Sequence, residues 1–379
     1  MKRIEKNGSV LYSRLTRRQL TRLLGSSVSA LLALSADQAR SLAQLPHSHL
    51  TKDCNRPLYL GTTFSELQCR YLELDYQKAF RHICSLGFDY IRLCSYWNEL
   101  EPVENQFDFT TLDWLLDESQ RQGVKVVLTV GMKAPRWPEF HLPAWLNTRC
   151  DTSGGQEPLD RHEEIAERTL NFIQALMQHT RQSANLKYWQ VENEPFTRLD
   201  ITAGRYLSYE FVQREVALVR SLTLPDQKVL LTNALSLPAA EDAGDDRAFR
   251  ESLMLADAVG INVYTKVPAG NSSSYLEPQE TYRTKLQNWQ RTLVSNGKED
   301  WIAEAQAEPW EPNELVATRK VDYLSATPKR VEYIVTVLAE LGYSRLLLWG
   351  CEYWYWNKIN GRNLWWWTAQ KLIEAKVRK

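Results

Sequence analysis

The chain has 379 residues, of which 44% are hydrophobic and 24% charged, and its formal net charge is zero. These values predict a soluble globular protein. The 46 basic residues equal the 46 acidic ones. Because nucleic acids and acidic membranes are bound through concentrated positive charge, this balance argues against both partners and favours a neutral one.

The first predicted element is an export signal over residues 1–43. Several basic residues precede an apolar run from Leu23 to Leu34, which is the layout of a signal peptide. The segment Thr16–Leu20 resembles a twin-arginine signal, and Ser41–Ala43 offers a small-residue cleavage site. We therefore expect a periplasmic or secreted protein. A cytosolic leader and an uncleaved anchor are the alternatives, although the apolar run is shorter than the ~20 residues that span a bilayer.

Short apolar runs then recur along the rest of the chain and predict buried parallel strands. There are about eight of them, the number that closes a barrel. They are Leu58–Leu60, Tyr90–Cys94, Lys125–Val130, Tyr188–Val191, Lys228–Leu231, Ala258–Val263, Trp301–Ala303 and Arg345–Trp349.

Segments with apolar residues at three- and four-residue spacing lie between these runs and predict helices. They are Asp75–Leu86, Thr111–Gln122, Arg161–Arg181, Arg205–Ser221, Thr281–Val294 and Lys329–Leu341. The alternation predicts an α/β fold, a (β/α)8 TIM barrel, formed as a single catalytic domain by residues 44–379. The longest non-periodic stretches, Met132–Glu157 and Thr265–Glu280, follow the third and sixth strands. They therefore lie on the carboxyl-end face, where such loops shape a cleft.

The cysteines and histidines give no metal-binding pattern. The six cysteines lack a C-x-x-C spacing, and the six histidines are scattered, so we expect no metal and no cofactor. Cys84 and Cys94 lie in apolar surroundings and are predicted to be buried thiols. Cys54, Cys69 and Cys150 lie in predicted loops, where an exported protein could cross-link them, and their pairing is open.

Two apolar runs end in glutamates that suggest a reaction. Glu194 lies in Lys187–Pro195 and Glu304 lies in Trp301–Gln306, each after a predicted strand. Glycoside hydrolysis needs one carboxylic acid to protonate the leaving oxygen and one carboxylate at the anomeric carbon. Glu194 could instead cap a helix, and Glu308 and Glu299 are rivals of Glu304, which we favour because it directly follows its strand.

The whole predicted barrel resembles the retaining glycoside hydrolases of clan A. Five segments carry the resemblance, each at the end of the appropriate strand: Asn193-Glu194-Pro195, the Glu304 segment, Ile91-Arg92-Leu93, Asn262-Val263-Tyr264 and Leu348-Trp349-Gly350. The resemblance implies that Glu194 is the acid/base and Glu304 the nucleophile.

The resemblance also implies roles for other residues around the reacting sugar. Asn193 would donate to the hydroxyl beside the reacting carbon, and Arg92 and Tyr264 would hold Glu304 ionised and aimed. Trp349 would form the floor under the sugar. Glu192, two residues before Glu194, is predicted to be buried with a partner or turned aside.

Two positions depart from the family pattern. Asn262 and Lys133 stand where several clan members have histidine, so the hydrogen bonds to substrate are not implied there. Ser95–Pro102 resembles the entry loop of β-galactosidase-like members, whereas the Asn-Glu-Pro strand is shared with cellulase-like and xylosidase-like ones. The subfamily is open.

The chain is rich in aromatic residues, with 14 Trp and 17 Tyr. Flat rings stack on sugar faces, and the additional rings predicted to bind substrate are Trp97, Trp137, Trp310 and Trp354. We expect a retaining β-glycoside hydrolase whose partner is an oligosaccharide, a polysaccharide or a glycoside. A transglycosylase on the same barrel and a catalytically silent carbohydrate-binding barrel are the alternatives.

Overall fold

A computed structural model describes residues 56–150, 152, 157–198, 202–237, 243–269, 274–312, 314, 317–319 and 323–377. The predicted export signal, residues 1–43, and Cys54 lie outside these described residues.

Ten strands occur in the described residues, and eight of them form a closed parallel barrel. The strands are β1 (Tyr59–Thr63), β2 (Tyr90–Cys94), β3 (Lys125–Val130), β4 (Leu186–Val191), β5 (Lys228–Ala234), β6 (Ala258–Val263), β7 (Val267–Pro268), β8 (Tyr275–Leu276), β9 (Glu299–Gln306) and β10 (Arg345–Trp349). β7 and β8 pair antiparallel in a separate hairpin. The others pair in chain order, and β1 closes the ring by pairing with both β2 and β10.

Helices connect the strands and surround the barrel. They are α1 (Glu66–Tyr71), α2 (Tyr76–Cys84), α3 (Trp97–Leu100), α4 (Thr110–Arg121), α5 (Ala144–Asn147), α6 (Glu163–Thr180), α7 (Tyr209–Leu222), α8 (Ala243–Leu255), α9 (Glu280–Ser295), α10 (Pro328–Glu340), α11 (Cys351–Ile359) and α12 (Leu364–Val377), with a 3-10 turn at Leu159–Arg161. The predicted (β/α)8 TIM barrel is confirmed.

Side-chain caps explain several helix starts. The Ser65 hydroxyl accepts from the Gln68 amide at the start of α1, and the Asp75 carboxylate accepts from the second and third amides of α2. Ser208 and Thr327 do the same for α7 and α10. These oxygens satisfy amides that have no partner within the helix.

Some predicted boundaries were wrong. The helix expected over Arg161–Arg181 begins only at Glu163, after the short 3-10 turn. Cys69 lies in α1 and not in a loop, and the five cysteines of the described residues are buried and free. Their thiols form no disulfide in this structure, so the possible cross-links of Cys69 and Cys150 are not found.

The barrel interior differs between its two ends. At the amino end, side chains that point inward form one apolar cluster of Tyr90, Val127, Tyr188, Leu230, Ala258, Trp301 and Leu347. Two residues further along β2, the inward side chain is Arg92, which is fully buried. Since side chains alternate across a strand, one strand supplies an aromatic ring to one end and a charge to the other.

Candidate active site

A bulge in β9 turns Glu304 into the barrel. Ile302 is paired with Ile261 of β6, but the next pair is Asn262 with Glu304, so Ala303 is an extra residue. Strict alternation from Trp301, which points inward, would have turned Glu304 outward. A β-bulge that re-aims one side chain is common beside active sites.

The Glu304 carboxylate is held by two donors. Arg92 Nη2 lies 2.7 Å from Oε1, and the Tyr264 hydroxyl lies 2.6 Å from Oε2. Arg92 is itself fixed, because its other nitrogens donate to Thr63 at 2.8 Å and to Gln190 at 3.2 Å. Burial, and then the neighbouring Glu304 charge, raise the pKa of Tyr264 well above its usual value, so its hydroxyl remains a donor. These contacts are the ones that the resemblance implied for Arg92 and Tyr264.

Glu194 follows β4 in a strained backbone. Glu192 and Glu194 have φ angles of 58° and 47°, a region that costs residues with side chains about 1 to 3 kcal/mol each. The Glu194 amide donates to the Thr232 hydroxyl at 3.0 Å, and its carbonyl accepts from Lys133 Nζ at 2.9 Å. This turn lets Glu192 and Glu194 take different directions.

The Glu194 carboxyl lies at the same barrel end as Glu304. Its Oε1 accepts from Asn262 Nδ2 at 2.6 Å, and Asn262 is the β6 residue paired with Glu304. Burial first, then the charges of Glu139 and Glu304, raise the pKa of Glu194 to about 8, against the opposing effects of Lys133 and Asn262. The Glu194 side chain is therefore protonated at neutral pH and can act as an acid.

Glu192 is buried beneath the site, as predicted. Its two oxygens accept from the Met132 amide at 2.8 Å and the Lys133 amide at 2.5 Å. A side chain at Gly131, which has φ of 110°, would collide with this carboxylate. Glu192 thus orients the loop that begins after β3.

Asn193 is buried at the carboxyl ends of β4 and β5. Its Oδ1 accepts from Gln190 Nε2 and from the Thr232 hydroxyl, each at 3.3 Å. The amide nitrogen is therefore the Asn193 atom that remains to donate. That it donates to a sugar hydroxyl stays a prediction.

Trp349 lies at the site, but a guanidinium covers its ring. The Arg136 guanidinium carbon is 4.0 Å from the ring centroid, and that of Arg92 is 5.8 Å away. Arg136 also binds Glu308 at 2.5 Å and Glu352 at 3.0 Å. Arg136 therefore stacks on this ring, and that Trp349 forms the floor under the sugar stays a prediction. Glu308, the rival of Glu304, is engaged by the same arginine.

The structure places the other predicted aromatic residues differently. Trp310 is 42% exposed, and its ring lies 5.5 Å from that of Tyr264. Trp137 is half-buried in the loop after β3. These two rings remain at the carboxyl-end rim, and their contact with substrate stays a prediction.

Trp97 and Trp354 are not brought to the site. Trp97 is fully buried, donates to Glu101 at 2.6 Å and stacks on Phe172. Trp354 is 1% exposed and donates to the Ala307 carbonyl at 2.7 Å. Both lie in helices that pack on the barrel, so neither ring presents a face to a sugar in this structure.

The sequence reasoning missed two charged residues of the site and the role of a third. Glu139, Lys133 and Arg136 all come from the long loop after β3, and their charges face the glutamates or Trp349. Lys133 was noted only as a departure from the family pattern, and for Glu139 and Arg136 the sequence offered only the length of that loop. Within the described ranges, no cluster of three or more His, Cys, Asp or Glu side chains is arranged to hold a metal ion.

No helix in the described part of the chain is both long enough and apolar enough to cross a membrane.

His141 is buried against Tyr96. Burial lowers the pKa of His141 to about 3, so this imidazole is neutral at physiological pH.

One family model matches part of the chain. It is described as Beta-galactosidase, Glyco_hydro_42, and it covers residues 70–206, a segment that contains Arg92 and Glu194. No curated protein matches the chain.

Solved structures of similar fold include two β-galactosidases and a GH5_18 protein. A β-galactosidase from the haloarchaeon Halorubrum lacusprofundi has 14% identity and a TM-score of 0.54, and the match covers 77% of this chain and 52% of that one. A β-galactosidase from Marinomonas ef1 has 15% identity and a TM-score of 0.54, with 77% and 54% covered. A GH5_18 protein from Bifidobacterium longum subsp. infantis has 14% identity and a TM-score of 0.55, with 78% and 70% covered.

The chain spans about half the length of the two β-galactosidases. At these identities the likeness concerns the fold. The predicted resemblance is confirmed at this level: the chain is similar to the clan A glycoside hydrolases in its barrel and in the family model that matches residues 70–206.

Proposed function

We propose that this protein is a retaining β-glycoside hydrolase in which Glu194 is the acid/base and Glu304 the nucleophile. One observation carries the proposal: two buried carboxyl groups share one barrel end but have opposite environments. Glu304 is bound by Arg92 and the Tyr264 hydroxyl. Glu194 is bound by a neutral amide, and burial raises its pKa to about 8. Such a pair supplies an anion and an acid at neutral pH.

The first step forms a bond between a Glu304 oxygen and the anomeric carbon. The bond from that carbon to the leaving oxygen breaks, and the leaving oxygen takes the Glu194 proton. Although Arg92 and Tyr264 each bind one Glu304 oxygen, a carboxylate oxygen has a second lone pair for attack. In the second step water attacks the same carbon, Glu194 takes the water proton, and the Glu304 ester bond breaks.

The proposed substrate is a β-linked glycoside of a neutral sugar. The overall charge balance and the aromatic rings Trp137 and Trp310 on the rim support a carbohydrate. The family model is described as Beta-galactosidase, so aryl β-galactosides are the first substrates to test, followed by other aryl β-glycosides.

The decisive experiment combines a substrate panel with covalent labelling. We expect turnover of at least one aryl β-glycoside, with the β-anomer released first in NMR spectra, and labelling of Glu304 by the matching 2-fluoro glycoside. Release of the α-anomer first would exclude the double displacement. Labelling of Glu308 would exclude Glu304 as nucleophile.

The acid role of Glu194 is tested by varying the leaving group. In Glu194→Ala we expect most of the activity to remain on glycosides of acidic phenols, whereas poor leaving groups lose about 10²- to 10⁴-fold. Equal losses on both kinds of substrate would contradict the role.

We also propose that residues 1–43 direct export to the periplasm or outside the cell. The basic residues followed by the apolar Leu23–Leu34 run support this proposal. Sequencing the mature amino terminus tests it: a start near Ala43 is expected, and a mature protein that begins at Met1 would exclude cleavage.

A further inference from the structure

A third carboxylate, Glu139, lies beside the two proposed catalytic glutamates. It comes from the loop after β3, where Lys133 pairs with Phe140 and the Ala134 amide donates to the Glu139 carbonyl at 2.9 Å. Glu139 has φ of 66°. This pairing places Glu139 next to Phe140, the residue that pairs with Lys133, and brings the Glu139 carboxylate within 3.4 Å of Lys133 Nζ.

Lys133 connects this carboxylate to Glu194. The lysine side chain is fully buried, and its Nζ lies 2.9 Å from the Glu194 carbonyl oxygen and 3.4 Å from Glu139 Oε2. Within the described residues, no group donates a hydrogen bond to that Oε2, although the atom is buried. The ammonium therefore touches Glu194 only at its backbone, but it faces the charged group of Glu139.

Building on the proposed hydrolase, we propose that Lys133 and Glu139 are positioning residues that decide where the catalytic proton lies. Burial raises the pKa of Glu139, and the Lys133 ammonium at 3.4 Å opposes this by favouring the ionised carboxylate. The same ammonium holds the Glu194 turn in place. The ionised Glu139 keeps the proton on Glu194, whose carboxyl group accepts a hydrogen bond from the neutral Asn262 amide.

The charges around Glu194 agree with this assignment. The groups that face it are Lys133 and Glu139 from the loop after β3, Glu304 from β9, and Tyr264 from the loop after β6. After burial, Glu139 is the largest cause that raises the pKa of Glu194, and Glu304 adds to it. Two like charges near one acid favour its protonated form.

The test is a titration of the Glu194 carboxyl by NMR, with carbon-13 at the glutamate carboxyl groups and the signal assigned by its loss in Glu194→Gln. In Glu139→Gln the midpoint is expected to fall by about one pH unit, and in Lys133→Met to rise by a similar amount. Glu139→Asp keeps the charge and should keep the midpoint. Glu308→Gln removes a buried carboxylate that faces Arg136, and it should leave the midpoint unchanged.

The same variants are expected to shift the alkaline limb of kcat/KM in the same directions for glycosides with poor leaving groups. Lys133→Met should also lower the plateau, because the proton is then divided between Glu139 and Glu194. An unshifted midpoint in a folded Glu139→Gln protein would overturn the inference, as would shifts of the same sign in both variants. The titration needs no turnover, so failure of hydrolysis would count against the proposed function and leave this result intact.

Discussion

The two ends of the barrel are built from the same strands but hold opposite kinds of side chain. At the amino end, the Trp301 ring lies 5.0 Å from that of Tyr90 and 4.8 Å from that of Tyr188. At the carboxyl end, Arg92 and Glu304 form a buried ion pair. Residues that stabilise the barrel and residues of the proposed active site therefore lie only two or three positions apart on one strand. A substitution at one end should affect stability or activity without affecting the other.

The carboxyl groups of the two ends also respond to their surroundings in opposite ways. At the carboxyl end, burial raises the pKa of Glu194 to about 8. At the amino end, burial opposes ionisation of Glu299, but hydrogen bonds from Lys228 and Tyr188 outweigh it, so the pKa of Glu299 lies below its usual value. Partners, and not depth alone, decide which buried acid is neutral.

The largest effect is expected from Glu304→Gln. The amide cannot attack the anomeric carbon, so kcat/KM should fall by at least about 10⁴-fold. The amide can still accept from Tyr264 and Arg92, so the loss in the free energy of unfolding should stay below about 2 kcal/mol. Steady-state rates and urea unfolding measure the two quantities. Glu308→Gln is the control. A comparable loss of kcat/KM in that variant would contradict the choice of Glu304 over Glu308 as the nucleophile.

The next largest effect is expected at the opposite end. Trp301→Ala leaves a cavity among Tyr90 and Tyr188 and should lower the free energy of unfolding by about 3 to 5 kcal/mol. Because the site lies at the other end, kcat of the folded fraction should change little. Trp367, which is 57% exposed, supplies the control, since Trp367→Ala should cost less than about 0.5 kcal/mol. A large drop in kcat of folded Trp301→Ala would show that the two ends are coupled.

The barrel could be predicted from the sequence because its strands are buried on both faces and therefore appear as continuous apolar runs. Tyr90–Cys94, Lys125–Val130, Ala258–Val263 and Arg345–Trp349 were predicted with the bounds that the structure has. β9 was predicted too short, as Trp301–Ala303, because charged residues flank its apolar centre. Helix α8 was not predicted at all.

The candidate active site could be predicted from the sequence only in part. Position at a strand end identified Glu194 and Glu304, but the bulge that turns Glu304 inward has no sequence signature. Whether a tryptophan lines a cleft or a helix interface depends on tertiary packing, which is why Trp97 and Trp354 were misplaced. Glu139 lies in a non-periodic loop, and only the folded loop brings its charge to Glu194.

A smaller effect is expected from Tyr264→Phe. This change removes the hydroxyl that donates to Glu304 Oε2 at 2.6 Å. A hydrogen bond to a charged group contributes about 1.5 to 3 kcal/mol, so kcat/KM should fall roughly 10- to 100-fold. Tyr343→Phe is the matched control, because it removes a hydroxyl that donates to the Leu286 carbonyl at 2.9 Å, away from the site. That variant should lose stability but keep its rate, and an unchanged rate in Tyr264→Phe would contradict the role of Tyr264.

The smallest effects are opposite pH dependences of stability at the two ends. Burial, and then the adjacent Glu192, raise the pKa of Glu215 well above its usual value, and burial raises that of Glu192 to about 7. Between these raised values and the usual glutamate pKa, the folded protein binds protons that the unfolded chain has released. The contribution of these groups to stability is therefore complete below the usual glutamate pKa and is lost as the pH rises through 7. Glu215→Gln cannot ionise, so it should gain about 1 kcal/mol relative to the unchanged protein between pH 5 and pH 8.

Glu299 should behave in the reverse way. Because its folded pKa is lowered, its contribution is present above the usual glutamate pKa and is lost as the pH falls. Glu299→Gln should therefore cost about 1 kcal/mol at pH 7 and progressively less towards pH 3. Unfolding in urea at several pH values measures both variants against the unchanged protein. For each variant, the difference in the free energy of unfolding from the unchanged protein is plotted against pH. Plots of the same slope for Glu215→Gln and Glu299→Gln would mean that the carboxyl groups of the two ends do not differ, because opposite surroundings should give slopes of opposite sign.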